Sequence, residues 1–272
     1  MHPEIIRVGG FTISSFGLMI AICFIVGYWL IMSEAKRKNL DDKLISNMFL
    51  AAMIGGIVGA KILYIFENVP LSEILSNPLT HLLSRGGLTF YGGFIGALAL
   101  VWAMAYRNKI NMWVIGDMAS PALALAYSIG RIGCLLVGDD YGVPSNLPWA
   151  MAFPKGLPPT DIPVHPTQLY EIILMFIAFL FIWRIRILPR PAGWLFSIYL
   201  IIAGFERFFI EFMRSTTPSP IPHMSVAQVT AIGLIIVGAL KLYSVYTSGE
   251  TQGGEARDKP AGRKKKPRKK KA

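Results

Sequence analysis

Two arginines stand inside segments otherwise built for an apolar surrounding. Arg131 lies within the run Met118 to Val137, and Arg207 within a second run rich in Phe and Ile. An ionised side chain in a membrane span costs ~2.5–3.5 kcal/mol on insertion scales, so it normally faces a protein interior and marks function. Two guanidiniums in a low-dielectric cavity need negative charge, and a phosphate supplies it bidentately. Possible partners are suitably spaced. Glu211 follows Arg207 by one helical turn, so the two can pair, and Gln168 and Glu171 share one helix face. Asp139, Asp140 and Tyr141 wait at the mouth of the Arg131 segment. Tyr91 offers a hydroxyl between two glycine pairs, and Lys61 and Glu67 complete the polar set. The same residues admit plainer readings. Arg131 could snorkel from a helix end, His165 could serve as a cap, and Arg131, Arg207, Glu171 and Glu211 could form a purely structural network.

The elements that must position these groups are membrane helices. The chain has 272 residues, 53% of them hydrophobic and 16% charged, with a mean hydropathy of +0.50. The apolar residues come in blocks of ~20, the length that spans a bilayer. The expected fold is therefore an all-α polytopic membrane protein. Seven spans fit, at roughly 12–33, 44–66, 87–106, 114–137, 167–187, 193–213 and 224–246. The first block lacks a cationic n-region and a small-residue cleavage site, so it reads as a retained span. Residues 1–248 form a single catalytic unit in this reading, with a long Pro- and Gly-rich loop at about 138–166. Leu71 to Leu83 reads as an amphipathic stretch along the membrane surface.

Charge fixes the expected orientation. Lys36, Arg37, Lys38 and Lys43 follow span one, Arg107 and Lys109 span three, and Arg184, Arg186 and Arg190 span five. The alternate loops are poorer in Lys and Arg, which places the N-terminus outside and the C-terminus in the cytoplasm. The net charge of +11 is concentrated in the tail, where Arg257 to Lys271 hold ten basic residues and one acid. Residues 249–272 read as a disordered basic cytoplasmic tail drawn to anionic headgroups, not as a nucleic-acid-binding face. The two cysteines, Cys23 and Cys134, have neither disulfide nor metal-site spacing. Nothing resembles a Walker loop, a zinc-ligand pattern or a nucleophile elbow.

Five motifs stand in order along these spans: GGLTFYGG from Gly86, GRIGCLLVGDDYG from Gly130, PWAMAFP from Pro148, HPTQLYE from His165 and ERFFIEFMR from Glu206. Met224-Ser225 with Gln228 adds a sixth match at the entry to the last span. Together they resemble the bacterial phosphatidylglycerol–prolipoprotein diacylglyceryl transferases over nearly the whole chain. The resemblance implies a multi-pass enzyme of the cytoplasmic (inner) membrane with its site toward the periplasmic side. It would transfer the sn-1,2-diacylglyceryl group of phosphatidylglycerol to the lipobox cysteine thiol of a preprolipoprotein, forming a thioether and releasing glycerol phosphate. The implied partners are phosphatidylglycerol, the lipobox segment and the bilayer, with no metal and no organic cofactor.

Arg131 and Arg207 match the family's essential arginines, and Asp139, Gly142, His165, Glu171, Glu211 and Arg214 occupy its other motif positions. The best-known members have His where Tyr91 stands, Asn at Cys134, Glu at Asp139, Tyr at Phe16 and Arg at Lys61. A neutral tyrosine with a pKa of ~10 is a poor acceptor for a thiol proton near ~8.5. The expected base is therefore Asp139, or a water it holds, with Tyr91 orienting substrate. Two alternatives use the same charges: a divergent relative with another acceptor, and a transporter of lipids or small anions. A transporter more often shows internal repeats and a midplane site. No repeat is visible here.

Overall fold

The computed structural model describes residues 4–8, 11–70, 73, 87, 89–214 and 223–247. The chain opens with a hairpin, β1 (Glu4–Val8) against β2 (Phe11–Ser14). Helix α1 (Ser15–Arg37) therefore begins three residues later than the pattern predicts, with the Ser14 hydroxyl accepting from the Gly17 amide at 3.0 Å. The turn into α2 (Asp42–Asn68) is capped by Asp41, which accepts from the amides of Lys43 and Leu44. Such caps satisfy amides that the first helical turn leaves without partners.

Helix α3 (Phe90–Arg107) lies against α2. The two backbones approach so closely that a Cβ on Gly55 would meet the Gly96 carbonyl at 2.5 Å. Gly59 and Gly92 oppose each other in the same seam, so a glycine of the GGLTFYGG motif serves packing.

Helix α4 (Met112–Val137) is the hub, with α1, α5 (Thr167–Ile185) and α6 (Trp194–Ile210) packed around it. It stops at Gly138, whose φ of +76° suits the left-handed turn that ends many helices. The long loop is ordered by a hairpin the sequence does not announce, β3 (Met151–Phe153) against β4 (Thr160–Val164). The last helix, α7 (Val226–Thr247), packs on α6. One apolar cluster joins Ala124 and Met175 to Ile182 and Leu195, and another joins Ala35, Ile45 and Met118.

Seven α-helices are thus present among the described residues, and six are long and apolar enough to cross a membrane. The seventh, α6, has 17 residues. The predicted span 193–213 is shortened because the winding tightens to a 3-10 turn over Glu211–Met213. There the Glu211 carboxylate is held by Ser225 and Arg207, at 2.7 Å each. Many large apolar side chains face outward, among them Trp29, Phe66 and Phe94. That is the expected surface of a helix bundle in lipid. The stretch 71–83, apart from Glu73, and the tail 249–272 lie outside the described residues.

Candidate active site

Arg131 sits six residues before the end of α4, on the face that meets α5. Its Nε reaches Glu171 Oε2 at 3.0 Å, and its Nη1 reaches Asp140 Oδ2 at 2.8 Å. One turn earlier on the same face, Tyr127 donates its hydroxyl to Glu171 Oε1 at 3.1 Å and lies 3.3 Å from Arg131 Nη2. Glu171 is 0% exposed and anchors the group from the first turns of α5.

Two more arginines approach that carboxylate from the other side. Arg207, in the last turn of α6, has Nη1 at 3.6 Å from Glu171 Oε1 and pairs through Nη2 with Glu211 at 2.7 Å. Arg214, just past the 3-10 turn, has Nη1 at 3.7 Å from the same oxygen and pairs through Nη2 with Asp140 Oδ1 at 2.8 Å. Both Nη1 atoms are buried and lack a hydrogen-bond partner among the described residues. Three guanidiniums from three segments thus enclose one buried carboxylate. A second carboxylate, Asp140, closes the outer side and is 46% exposed.

The backbone explains how these segments meet. Gln168 donates its amide to the Asp139 carbonyl, and Thr167 its hydroxyl to the Asp140 carbonyl at 2.8 Å. Asp140 itself adopts a φ of +61°, which turns its carboxylate back over the end of α4. Gly142 donates to the His165 carbonyl and Val143 to the Met213 carbonyl, both at 2.9 Å. A Cβ at Gly142 would meet His165 Cβ at 2.8 Å, so only glycine lets the loop dock here. Ser225, at the entry to α7, donates to Glu211 at 2.7 Å, and its amide is received by Gln228 at 2.9 Å.

The expected site residues therefore separate into groups. Arg131, Arg207, Arg214, Glu171 and Glu211 come together. Gly142 and His165 serve the neighbouring backbone pairing, and the His165 ring lies 3.4 Å from the Tyr170 hydroxyl. Asp139 adjoins the cluster, with Oδ1 buried and without a hydrogen-bond partner among the described residues. Burial pushes its carboxyl above the usual range, and the neighbouring Asp140 adds to the effect. Asp140 behaves oppositely. Burial would raise it, but Arg214 and Arg131 outweigh that and hold it below the ordinary carboxylate value.

Tyr91 stands apart, 44% exposed on α3, where its ring meets Phe90 edge-on. No hydrogen bond or ion pair joins it to the arginines among the described residues. Glu67 of the same helix pair accepts from Thr89 at 3.2 Å. One member of the cluster, Tyr127, four residues before Arg131, had a readable signal that spacing alone left unused, while Asp140, expected at the mouth, pairs with Arg131 and Arg214.

Cys134, Asp139 and Asp140 could share a cation by distance, their ligand atoms lying within 4.8 Å of one another. The arrangement suits one poorly, because each Asp140 oxygen already meets a guanidinium. What the cluster can do is hold an anion. Planar, multiply donating guanidiniums match a phosphate, and a buried setting strengthens the attraction.

A family model described as prolipoprotein diacylglyceryl transferase matches residues 3–244. Relatives named phosphatidylglycerol–prolipoprotein diacylglyceryl transferase resemble the chain over most of its length. The protein of Clostridium tetani is 33% identical over 240 residues, covering 88% of this chain and 95% of its own. That of Actinobacillus pleuropneumoniae serotype 3 is 34% identical over 229 residues, covering 80% and 83%. That of Photobacterium profundum is 32% identical over 254 residues, covering 90% and 94%.

Proposed function

The chain belongs to the prolipoprotein diacylglyceryl transferase family, and from that membership we propose how its charged cluster carries the reaction. The activity is transfer of the diacylglyceryl group of phosphatidylglycerol to the cysteine thiol of a prolipoprotein, the first step of bacterial lipoprotein maturation. The acceptor thiol belongs to the lipobox. A sulfur–carbon bond forms at the glyceryl sp³ carbon as the carbon–oxygen bond to phosphate breaks. Its electron pair leaves on glycerol phosphate.

The observation that carries this reading is the convergence of Arg131, Arg207 and Arg214 around Glu171, with the Nη1 atoms of Arg207 and Arg214 in ion-pair range of that carboxylate but without a hydrogen bond among the described residues. Negative charge grows on the leaving phosphate, and preorganised donors stabilise charge where it develops. Asp140 pairs with Arg131 and Arg214 while remaining 46% exposed. It serves as a resident counter-anion that the substrate phosphate displaces. Glu171 and Glu211 stay in place and fix the guanidinium forks.

The thiol must lose its proton, because the thiolate is the reactive form. Asp139 takes it, directly or through a water; its raised carboxyl is better matched to that role than an ordinary aspartate. Tyr91, on the separate α2–α3 pair, orients substrate at the lipid side. The chain is a multi-pass protein of the inner membrane, with the N-terminus outside, the C-terminus in the cytoplasm and the site toward the periplasm. Loop charge supports that orientation. Helix α6 with its 3-10 turn acts as the seventh span, and 249–272 is a basic tail appended to the catalytic unit.

The test combines purified protein, phosphatidylglycerol and a lipobox peptide. Mass spectrometry should find a diacylglyceryl thioether on the peptide cysteine. Absence of that adduct, with folded protein, would refute the assignment.

A further inference from the structure

We propose that the cleft at the opposite end of α4 from Arg131 is a second phosphate-binding site, separate from the transfer centre. The cleft encloses about 220 Å³, and its lining includes Arg37, Lys38, Arg186, Arg190 and Asp117. Asp117 and Arg131 are 14 residues apart on α4, or ~21 Å along a helix, so no single headgroup phosphate touches both.

The charges around the cleft do not cancel. Among the described residues, the charged groups at the cleft are four cations and two carboxylates, Asp117 and the adjoining Glu34. Both carboxylates are already engaged. Glu34 is 0% exposed and binds Arg37 at 2.6 Å and Arg186 at 2.9 Å. Asp117 accepts from the amides of Gly193 and Phe196, at 2.8 Å each, and so caps α6. Among the described residues, Lys38 and Arg190 have no carboxylate ion pair of their own. Arg190 lies over the Trp194 ring at 5.3 Å, and Arg186 stacks on Trp183 at 3.5 Å with its Nε buried and without a hydrogen-bond partner among the described residues. Burial pushes the Lys38 ammonium below the usual lysine value, with Asp117 opposing the change.

A partly desolvated cavity with excess positive charge favours an anion. The lining also includes Ile187 and Leu188, so the cavity is apolar beside its cations. Such a mixture suits a phosphate joined to a hydrocarbon-bearing group, and under the proposed orientation the cleft opens at the anionic inner leaflet. The shared chemistry is a phosphate group, whether it arrives on a lipid headgroup or free in solution.

Amine footprinting of the full chain in neutral detergent tests this. Acylation of Lys38 is followed by peptide mass spectrometry, with Lys36 and Lys43 as internal references, in the presence of dihexanoyl phosphatidate or inorganic phosphate. At a ligand concentration near four times its Kd, Lys38 should react about fivefold more slowly while the reference lysines do not change. Protection by phosphatidate alone identifies a headgroup site, and equal protection by both ligands identifies a site for phosphate itself. Arg190→Gln should abolish the protection, with unchanged Lys36 and Lys43 rates reporting that this end of the fold is intact. Unprotected Lys38 in both arms, equal protection of all three lysines, or undiminished protection in Arg190→Gln would each overturn the proposal.

Discussion

Arg131 and Glu171 meet at 3.0 Å, Nε to Oε2, across the interface of α4 and α5, and the glutamate has no solvent exposure. The pair ties the two helices that position the site. Glu171 also accepts from Tyr127 and lies within 3.7 Å of Arg207 and Arg214. Glu171→Gln keeps the shape but leaves three guanidiniums around a neutral amide. Breaking a buried ion pair on one side typically costs about 3–5 kcal/mol. The thermal midpoint in detergent should fall clearly and transfer should be lost. A midpoint equal to that of the parent would show that this carboxylate does not organise the cluster.

Asp140 is the half-exposed member of the cluster and competes with substrate phosphate in the proposed scheme. Asp140→Asn should lower the KM for phosphatidylglycerol by about two- to fivefold, in keeping with the modest strength of exposed ion pairs. A higher KM at unchanged kcat would contradict displacement. The native carboxyl is held below its ordinary value, so its stabilisation is present above the unfolded value of ~3.9 and is lost as pH falls through the lower folded value. Acidification through that window should lower the thermal midpoint of the parent more than that of Asp140→Asn.

The base is tested at Asp139. Asp139→Asn should lower kcat by ~10²–10⁴, the usual contribution of a positioned base. In the parent, kcat/KM should rise with pH through a limb above the ordinary carboxylate range, since burial raises Asp139 and only its ionised form accepts the proton. Tyr91→Phe should lose less, and Tyr91→His should keep substantial activity. A dead Tyr91→Phe beside a normal Asp139→Asn would move the chemistry to α3.

Much of this cluster was legible because a charge within an apolar run is a strong signal. Arg131, Arg207 and Glu171 announce themselves that way, and the Arg207–Glu211 pair follows from one helical turn of spacing. Tyr127 obeys the same spacing toward Arg131, but an aromatic residue in an apolar helix looks like packing until its hydroxyl is seen on Glu171. Which of Asp139 and Asp140 pairs with the arginines was not legible. It is set by left-handed turns at Gly138 and Asp140, which swing adjacent carboxylates in different directions. The β3–β4 hairpin was hidden for another reason: its strands have three and five residues and lack a clear apolar alternation. The end of α6 depends on Ser225, which is 14 residues away from Glu211 in the chain.

Orientation can be read by single-cysteine labelling with a membrane-impermeant reagent. Cysteines at Asn146 or Lys155, in the loop beside the arginines, should react in intact cells, and one at Lys109 only after permeabilisation. Labelling at Lys109 in intact cells would invert the proposed topology and place the reaction at the cytoplasmic face.

In the proposed mechanism Arg131 and Arg207 hold the phosphate as planar, multiply donating cations. The most direct measurement is diacylglyceryl transfer to a lipobox peptide by purified Arg131→Ala, Arg131→Lys, Arg207→Ala and Arg207→Lys, scored by mass spectrometry of the peptide adduct. Neither alanine variant should yield adduct, and lysine should recover little activity, since a point charge does not reproduce the guanidinium fork. Full activity with lysine at both positions, or transfer by either alanine variant at the parental rate, would contradict it.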